Sequence, residues 1–284
     1  MRQLAARIAV IFGLLGLALL GGCGTETLPQ PTVRIQPRPA MPWQAAIGEL
    51  ATNAPNIHCS AVLVAPDVIA TAAHCLFLET AKRPAQPSEL VFRPNMGGLR
   101  TLPPSRGVAI LGLGAPIRGG HMRNEDVSND WMLVRISPPV NAVPPVAVAQ
   151  LTIDGMLDLI RSGDRLVAAG YGNGTYDELK VNQRCRLLSQ HELGLFPDDT
   201  WLQLDCIFRI GDSGGAIVLL DGANQPALVG LMAGFGHMPH DRTAPLGLGV
   251  NAGNFAHLLR RPVAQASPAA SLATGGRLAD LPLN

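Results

Sequence analysis

The chain has 284 residues, 47% apolar, 15% charged and 4% aromatic, with 22 lysines and arginines against 21 acids for a formal charge of +1. That length holds one or two domains with a substantial core, and the apolar share excludes a disordered chain. The balanced charge excludes the basic surface expected of a nucleic-acid protein, while the five cysteines, an odd number, leave at least one without a partner in the chain.

In chain order, residues 1–7 carry two arginines and no acid, and residues 8–20 form an unbroken run of 13 apolar or glycine residues. The run is shorter than the roughly 17–25 residues of a membrane-spanning helix. It suits the apolar region of an export signal over residues 1–22.

That run ends in Leu20-Gly21-Gly22-Cys23, which resembles the bacterial lipobox. The resemblance implies cleavage before Cys23, a diacylglyceryl group on its thiol and acylation of the new amine. Several acyl chains together anchor stably where one does not. Gly24, in place of aspartate, implies by resemblance to Gram-negative sorting a lipid-anchored protein on the periplasmic face of the outer membrane. Residues 23–41 read as an extended tether, with five prolines between positions 25 and 42. Residues 262–284, rich in Ala, Pro, Ser and Gly, read as a disordered tail. Between them, residues 42–261 form the expected domain.

Its middle consists of short apolar runs at 58–65, 68–73, 131–136, 165–172, 201–206, 216–220 and 227–233, separated by Gly, Pro, Asn and Asp. Runs of this length with regular turn signals predict strands of a sandwich or barrel. Near the end, Asn254 is placed to cap a helix on which Phe255, Leu258 and Leu259 share a face.

Three separated segments carry chemistry: Thr71-Ala72-Ala73-His74-Cys75, Asn129-Asp130-Trp131-Met132-Leu133-Val134 and Gly211-Asp212-Ser213-Gly214-Gly215. Each alone has a plain structural reading, as a core histidine, a turn-capping aspartate and a glycine turn. Together they supply His74, Asp130 and Ser213 in an order that differs from that of α/β-hydrolases, whose Gly-x-Ser-x-Gly serine precedes the histidine. That alternative remains open through His237, His240 and His257, although it leaves the first two segments unexplained.

The three segments resemble the chymotrypsin/trypsin family of serine proteases, over roughly residues 42–261. Pro42-Trp43-Gln44 looks like the family's first strand, and Ala169-Gly170-Tyr171-Gly172 resembles the segment opening the second barrel. The implied fold is all-β: two six-stranded antiparallel β-barrels with a short C-terminal helix and the site in the cleft between the barrels. The implied roles are His74 as general base, Asp130 as its orienting group, Ser213 as nucleophile, and the N–H groups of Gly211 and Ser213 as oxyanion hole. The resemblance also implies the bridges Cys59–Cys75 and Cys185–Cys206, the latter ending seven positions before Ser213. Cys23 is then the unpaired cysteine.

The sequence departs from the family in places. No Ile-Val-Gly-Gly segment supplies an N-terminal amine for Asp212, and Arg34-Ile35 lies close to the domain for a processing point. Activity without processing, or another partner for Asp212, is expected. Ile207 stands where trypsins hold an acidic pocket base, with Phe208 and Met232 also assigned to the pocket, so apolar or small side chains are expected at the cleavage site. His237 and His240 lack an acid or cysteine cluster for a metal, and no metal or cofactor is expected. The expected partners are polypeptide substrates and a membrane reached through the N-terminal lipid, with no nucleic acid and a monomeric state. The different-class alternative is a catalytically silent copy of the fold that acts as an envelope binding module.

Overall fold

The computed structural model describes residues 41–52, 58–94, 102–114, 124–172, 178–189, 200–238, 241 and 243–259. The expected signal, the tether up to residue 40 with Cys23 and Arg34-Ile35, His240 and the tail lie outside these residues. Among them, no helix is long and apolar enough to cross a membrane.

The chain enters through a single 3-10 turn, Pro42–Ala46, not through the strand expected at Pro42-Trp43-Gln44. The fixed φ of Pro42 suits the first turn of a helix, and Gln44 N–H donates to Met41 O at 2.9 Å. The strand begins only afterwards.

Eight strands follow in the first half. They are β1 (Ile47–Thr52), β2 (His58–Ala65), β3 (Val68–Thr71), β4 (Phe77–Leu78), β5 (Arg83–Pro84), β6 (Leu90–Pro94), β7 (Ser105–Leu113) and β8 (Met132–Ser137). Six of them close a barrel in the order β1-β2-β3-β8-β7-β6, and β4 and β5 make a separate two-stranded pair. β3 ends at Thr71, short of the expected Ala73, because Ala73–Leu76 winds into a 3-10 turn. That turn carries His74. Ile47, Leu50, Leu63, Ile69, Phe92, Met132 and Leu133 are fully buried in the core.

The second half contains β9 (Ala147–Val148), α1 (Ile153–Arg161), β10 (Arg165–Gly170), β11 (Lys180–Asn182), β12 (Trp201–Leu204), β13 (Ala216–Leu220), β14 (Pro226–His237), β15 (Pro245–Asn251) and α2 (Gly253–Leu259). Its strands form one sheet in the order β11-β10-β13-β14-β15-β12, with β9 added parallel to β14. The chain beyond β11 returns to the far edge, where Leu188 N–H donates to Gln203 O at 2.9 Å and Leu187 bridges Leu204. Every residue of β13, Ala-Ile-Val-Leu-Leu, is buried, as expected of a central strand covered on both faces.

The sequence reading did not include α1. Thr152 caps it by accepting from Gly155 N–H at 3.1 Å, and Ile153 and Met156 pack with Leu166, Leu202, Ile217 and Leu219. Burying two such side chains contributes roughly 1.5–3 kcal/mol each. The expected cap of α2 also shifts. Asn251, not Asn254, accepts from Gly253 N–H at 2.9 Å, while Asn254 Nδ2 donates to Ser128 O and Thr200 O at 2.6 and 2.8 Å. Asn254 therefore ties the helix to segments from both halves.

Candidate active site

The 3-10 turn after β3 and the loop before β8 bring His74 and Asp130 together. Asp130 Oδ2 lies 2.7 Å from His74 Nδ1, and Asp130 Oδ1 accepts the His74 backbone N–H at 2.8 Å. An acidic partner at Nδ1 makes that nitrogen the donor and leaves the lone pair on Nε2. Asp130 is buried, whereas the His74 side chain is 36% exposed. Burial opposes the charged ring, yet the Asp130 charge and its hydrogen bond prevail, so His74 sits above the usual histidine range.

Ser213 lies in a loop built from glycine and main-chain bonds. Ser213 O accepts Ser60 N–H at 2.7 Å and lies 3.8 Å from Cys75 Sγ, one residue from His74. Gly211 has φ +99° and Gly214 φ +78°, a region that side chains with a Cβ avoid. At Gly214 the space is closed as well, since a Cβ would strike Thr71 Oγ1 and the Ser60 carbonyl. Within the loop, Asp212 N–H donates to Arg209 O, Gly214 N–H to Met232 O and Gly215 N–H to Asp212 O, at 2.7–2.9 Å. Among the described residues, the N–H groups of Gly211 and Ser213 have no such acceptor. They remain available to an oxygen placed before them.

Asp212 has main-chain partners. Its Oδ1 accepts Gly172 N–H at 2.7 Å and its Oδ2 accepts Arg209 N–H at 2.8 Å. Burial pushes its carboxyl up to about 6, against the pull of those two bonds and of the Arg209 and Lys180 charges. The expectation that Asp212 has a partner other than an N-terminal amine therefore has a concrete form.

A family model described as Trypsin matches residues 33–245, well over half of the chain. The chain belongs to the trypsin family. As a member it is a serine-type endopeptidase with polypeptide substrates. Among solved structures, the chain is similar to a Glu endopeptidase in complex with MPD, with a TM-score of 0.51 and 14% identity over 76% of this chain and 89% of that one. At that identity the likeness concerns the fold. No curated protein matches the chain.

In this trypsin-family chain both expected disulfides form. Cys59–Cys75 joins β2 to the His74 turn, and Cys185–Cys206 joins the strand-like segment around Leu187 to the end of β12. With sequence separations of 16 and 21, each contributes roughly 3 kcal/mol in the chain-entropy account. The sulfurs of Cys59 and Cys75 cluster with His74 within 4.8 Å, but as a disulfide they are not thiolate ligands.

The three residues assigned to the pocket separate. Phe208 is 3% exposed, and its ring edge lies 3.0 Å from where a Cβ on Gly247 would sit. Met232 is 2% exposed and sends its terminal methyl between Gly170 and Gly215, beneath the serine loop. Of the three, Ile207 is the most exposed, and among the described residues of this half Ile210 in the loop before Ser213 and Phe235 on β14 are exposed as well.

Sequence reasoning assigned no role to Ser60, and placed Thr71 in the His74 segment without one. Both are fully buried, and Thr71 Oγ1 donates to Ser60 O at 2.7 Å. The available signal was a hydroxyl inside the apolar run Cys59-Ser60-Ala61-Val62-Leu63, since a buried hydroxyl needs a partner.

Proposed function

We propose that the chain cleaves peptide bonds through an acyl-enzyme on Ser213. Ser213 Oγ attacks the scissile carbonyl carbon while His74 Nε2 takes the hydroxyl proton. Asp130 keeps the ring oriented and stabilises its charged form. The carbonyl oxygen, now negative, accepts from the N–H groups of Gly211 and Ser213. Collapse breaks the C–N bond, and His74 returns the proton to the departing amine. Water then attacks the ester with His74 again as base, which frees the acid and restores Ser213.

The observation that carries this reading is the two-point hold of Asp130 on His74, by ring and by backbone. A fluorophosphonate probe should label wild-type protein at Ser213, and Ser213→Ala should abolish both labelling and peptidase activity. A folded wild-type chain that neither reacts nor cleaves would leave the silent binding module instead.

For selectivity, the segment 207–210 consists of Ile207, a buried Phe208, Arg209 and an exposed Ile210, with no acid among them. This supports small or apolar side chains at the cleavage site. Efficient cleavage after Arg or Glu in a peptide library would overturn it. Residues 1–23 support anchoring to the bacterial envelope through lipid on Cys23. Its test is release of the chain into the soluble fraction by Cys23→Ser.

A further inference from the structure

Ser60, in β2 of the first barrel, grips the serine loop on both sides of Asp212. Its Oγ donates to Gly211 O at 2.8 Å and accepts Tyr171 N–H at 2.8 Å. Its backbone N–H donates to Ser213 O at 2.7 Å. The residue is fully buried, and its own carbonyl is engaged by Thr71 Oγ1. One hydroxyl thus relays from the Tyr171 peptide to the Gly211 peptide, and Asp212 Oδ1 holds the neighbouring Gly172 N–H.

We propose that Ser60 is a positioning residue for the oxyanion-binding N–H of Gly211, acting through the Gly211 carbonyl. Gly211 sits at φ +99°, where glycine has wide rotational freedom. Nothing in its own side chain fixes its two flanking peptide planes. The plane on its C-terminal side is fixed at both ends, by Ser60 Oγ on Gly211 O and by Arg209 O on Asp212 N–H. Removing the Ser60 hydroxyl frees one end and takes from the buried Tyr171 N–H the oxygen that accepts it at 2.8 Å. The Gly211 N–H belongs to the preceding peptide plane, which is joined to this held plane through the torsions of Gly211, so a shift of the anchored carbonyl moves the position from which that N–H meets the charge developing on the substrate oxygen. Because that charge is absent in the bound substrate, the loss falls on turnover and not on binding.

This inference rests on the acyl-enzyme reading, and the experiment separates the two. Full-length wild type, Ser60→Ala and Ser60→Thr are compared for fluorophosphonate labelling, for kcat and KM on one peptide, and for affinity toward a peptide boronate. Near-UV circular dichroism and disulfide content establish the folded fraction. Ser60→Ala is expected to lower kcat about tenfold to a hundredfold, less than the loss of a direct oxyanion donor, with KM within about twofold. Boronate affinity should fall in step with kcat, and Ser60→Thr, which keeps the hydroxyl, should recover most of it.

Unchanged kcat in folded Ser60→Ala overturns the proposal, as does a loss confined to KM or to thermal stability. Equal losses in the Ala and Thr variants overturn it too. If Ser60→Ala does not fold, Ser60→Gly removes the same hydroxyl and is read by the same criteria. Failure of wild type itself to label would instead refute the acyl-enzyme reading.

Discussion

The two halves of the molecule hold their parts of the site by different means. In the barrel half, one carboxylate, Asp130, holds both the ring and the backbone of His74. In the sheet half, the 211–215 loop is shaped by glycine torsions, by main-chain bonds and by a buried acid that accepts two backbone N–H groups. The barrel therefore fixes a functional group, and the sheet fixes a backbone path to which the barrel adds the bonds from Ser60 to Gly211 and Ser213. Replacing one atom should damage the first by changing chemistry at constant shape, and adding one carbon should damage the second by changing shape.

The largest effect expected from this contrast is at Asp130. Asp130→Asn should lower kcat by about 10⁴-fold with the fold intact, because an amide presents the wrong hydrogen to Nδ1. In the proposed mechanism His74 must be neutral to take a proton, so wild-type kcat/KM should rise with pH through a value above the usual histidine range. In the Asn variant that limb should move to lower pH. A variant with near-wild-type kcat, measured on any cleaved peptide, would break the barrel side of the contrast.

Gly214→Ala tests the sheet side. The left-handed backbone alone costs roughly 1–2 kcal/mol, and the added carbon also meets Thr71 and Ser60. A lower melting temperature together with slower fluorophosphonate labelling of Ser213 is expected. Full labelling speed at reduced stability would separate loop shape from chemistry.

A third test sharpens the role of Asp212. Its carboxyl is raised from 3.8 to about 6 by burial, so the folded state keeps a proton that the unfolded chain releases. Its contribution to stability is therefore present below about pH 4 and lost as pH rises through about 6. Unfolding free energies of wild type and Asp212→Asn, measured across that window, should differ by an amount that changes with pH in this sense. A constant difference would refute it. The smallest effect belongs to a place remote from the site. Thr152→Ala should cost about 1 kcal/mol through the lost cap of α1 and leave kcat unchanged.

What the sequence made legible follows the same division. His74, Asp130 and Ser213 lie in segments whose residue types are constrained by chemistry, and β2 and β13 are apolar runs that coincide with their strands. The boundaries that moved depend on local geometry. Pro42-Trp43-Gln44 turns because proline favours a first helical turn, and β3 stops where the chain must tighten to present His74. The helix α1 has nine residues, too few for its spacing of Ile153, Met156, Leu157 and Ile160 to stand out from neighbouring apolar strands. Ser60 was hidden for a different reason. Its partners, Gly211 and Tyr171, are 151 and 111 positions away, and only the folded chain brings them to one hydroxyl.

The bond from His74 N–H to Asp130 has a consequence for motion. Because the acid grips the peptide of the residue whose ring it faces, a displacement of the His74 backbone draws the carboxylate with it. The ring, by contrast, leaves that carboxylate by breaking the bond at Nδ1 alone. The pair is thus tied together at the backbone and separable at the side chain.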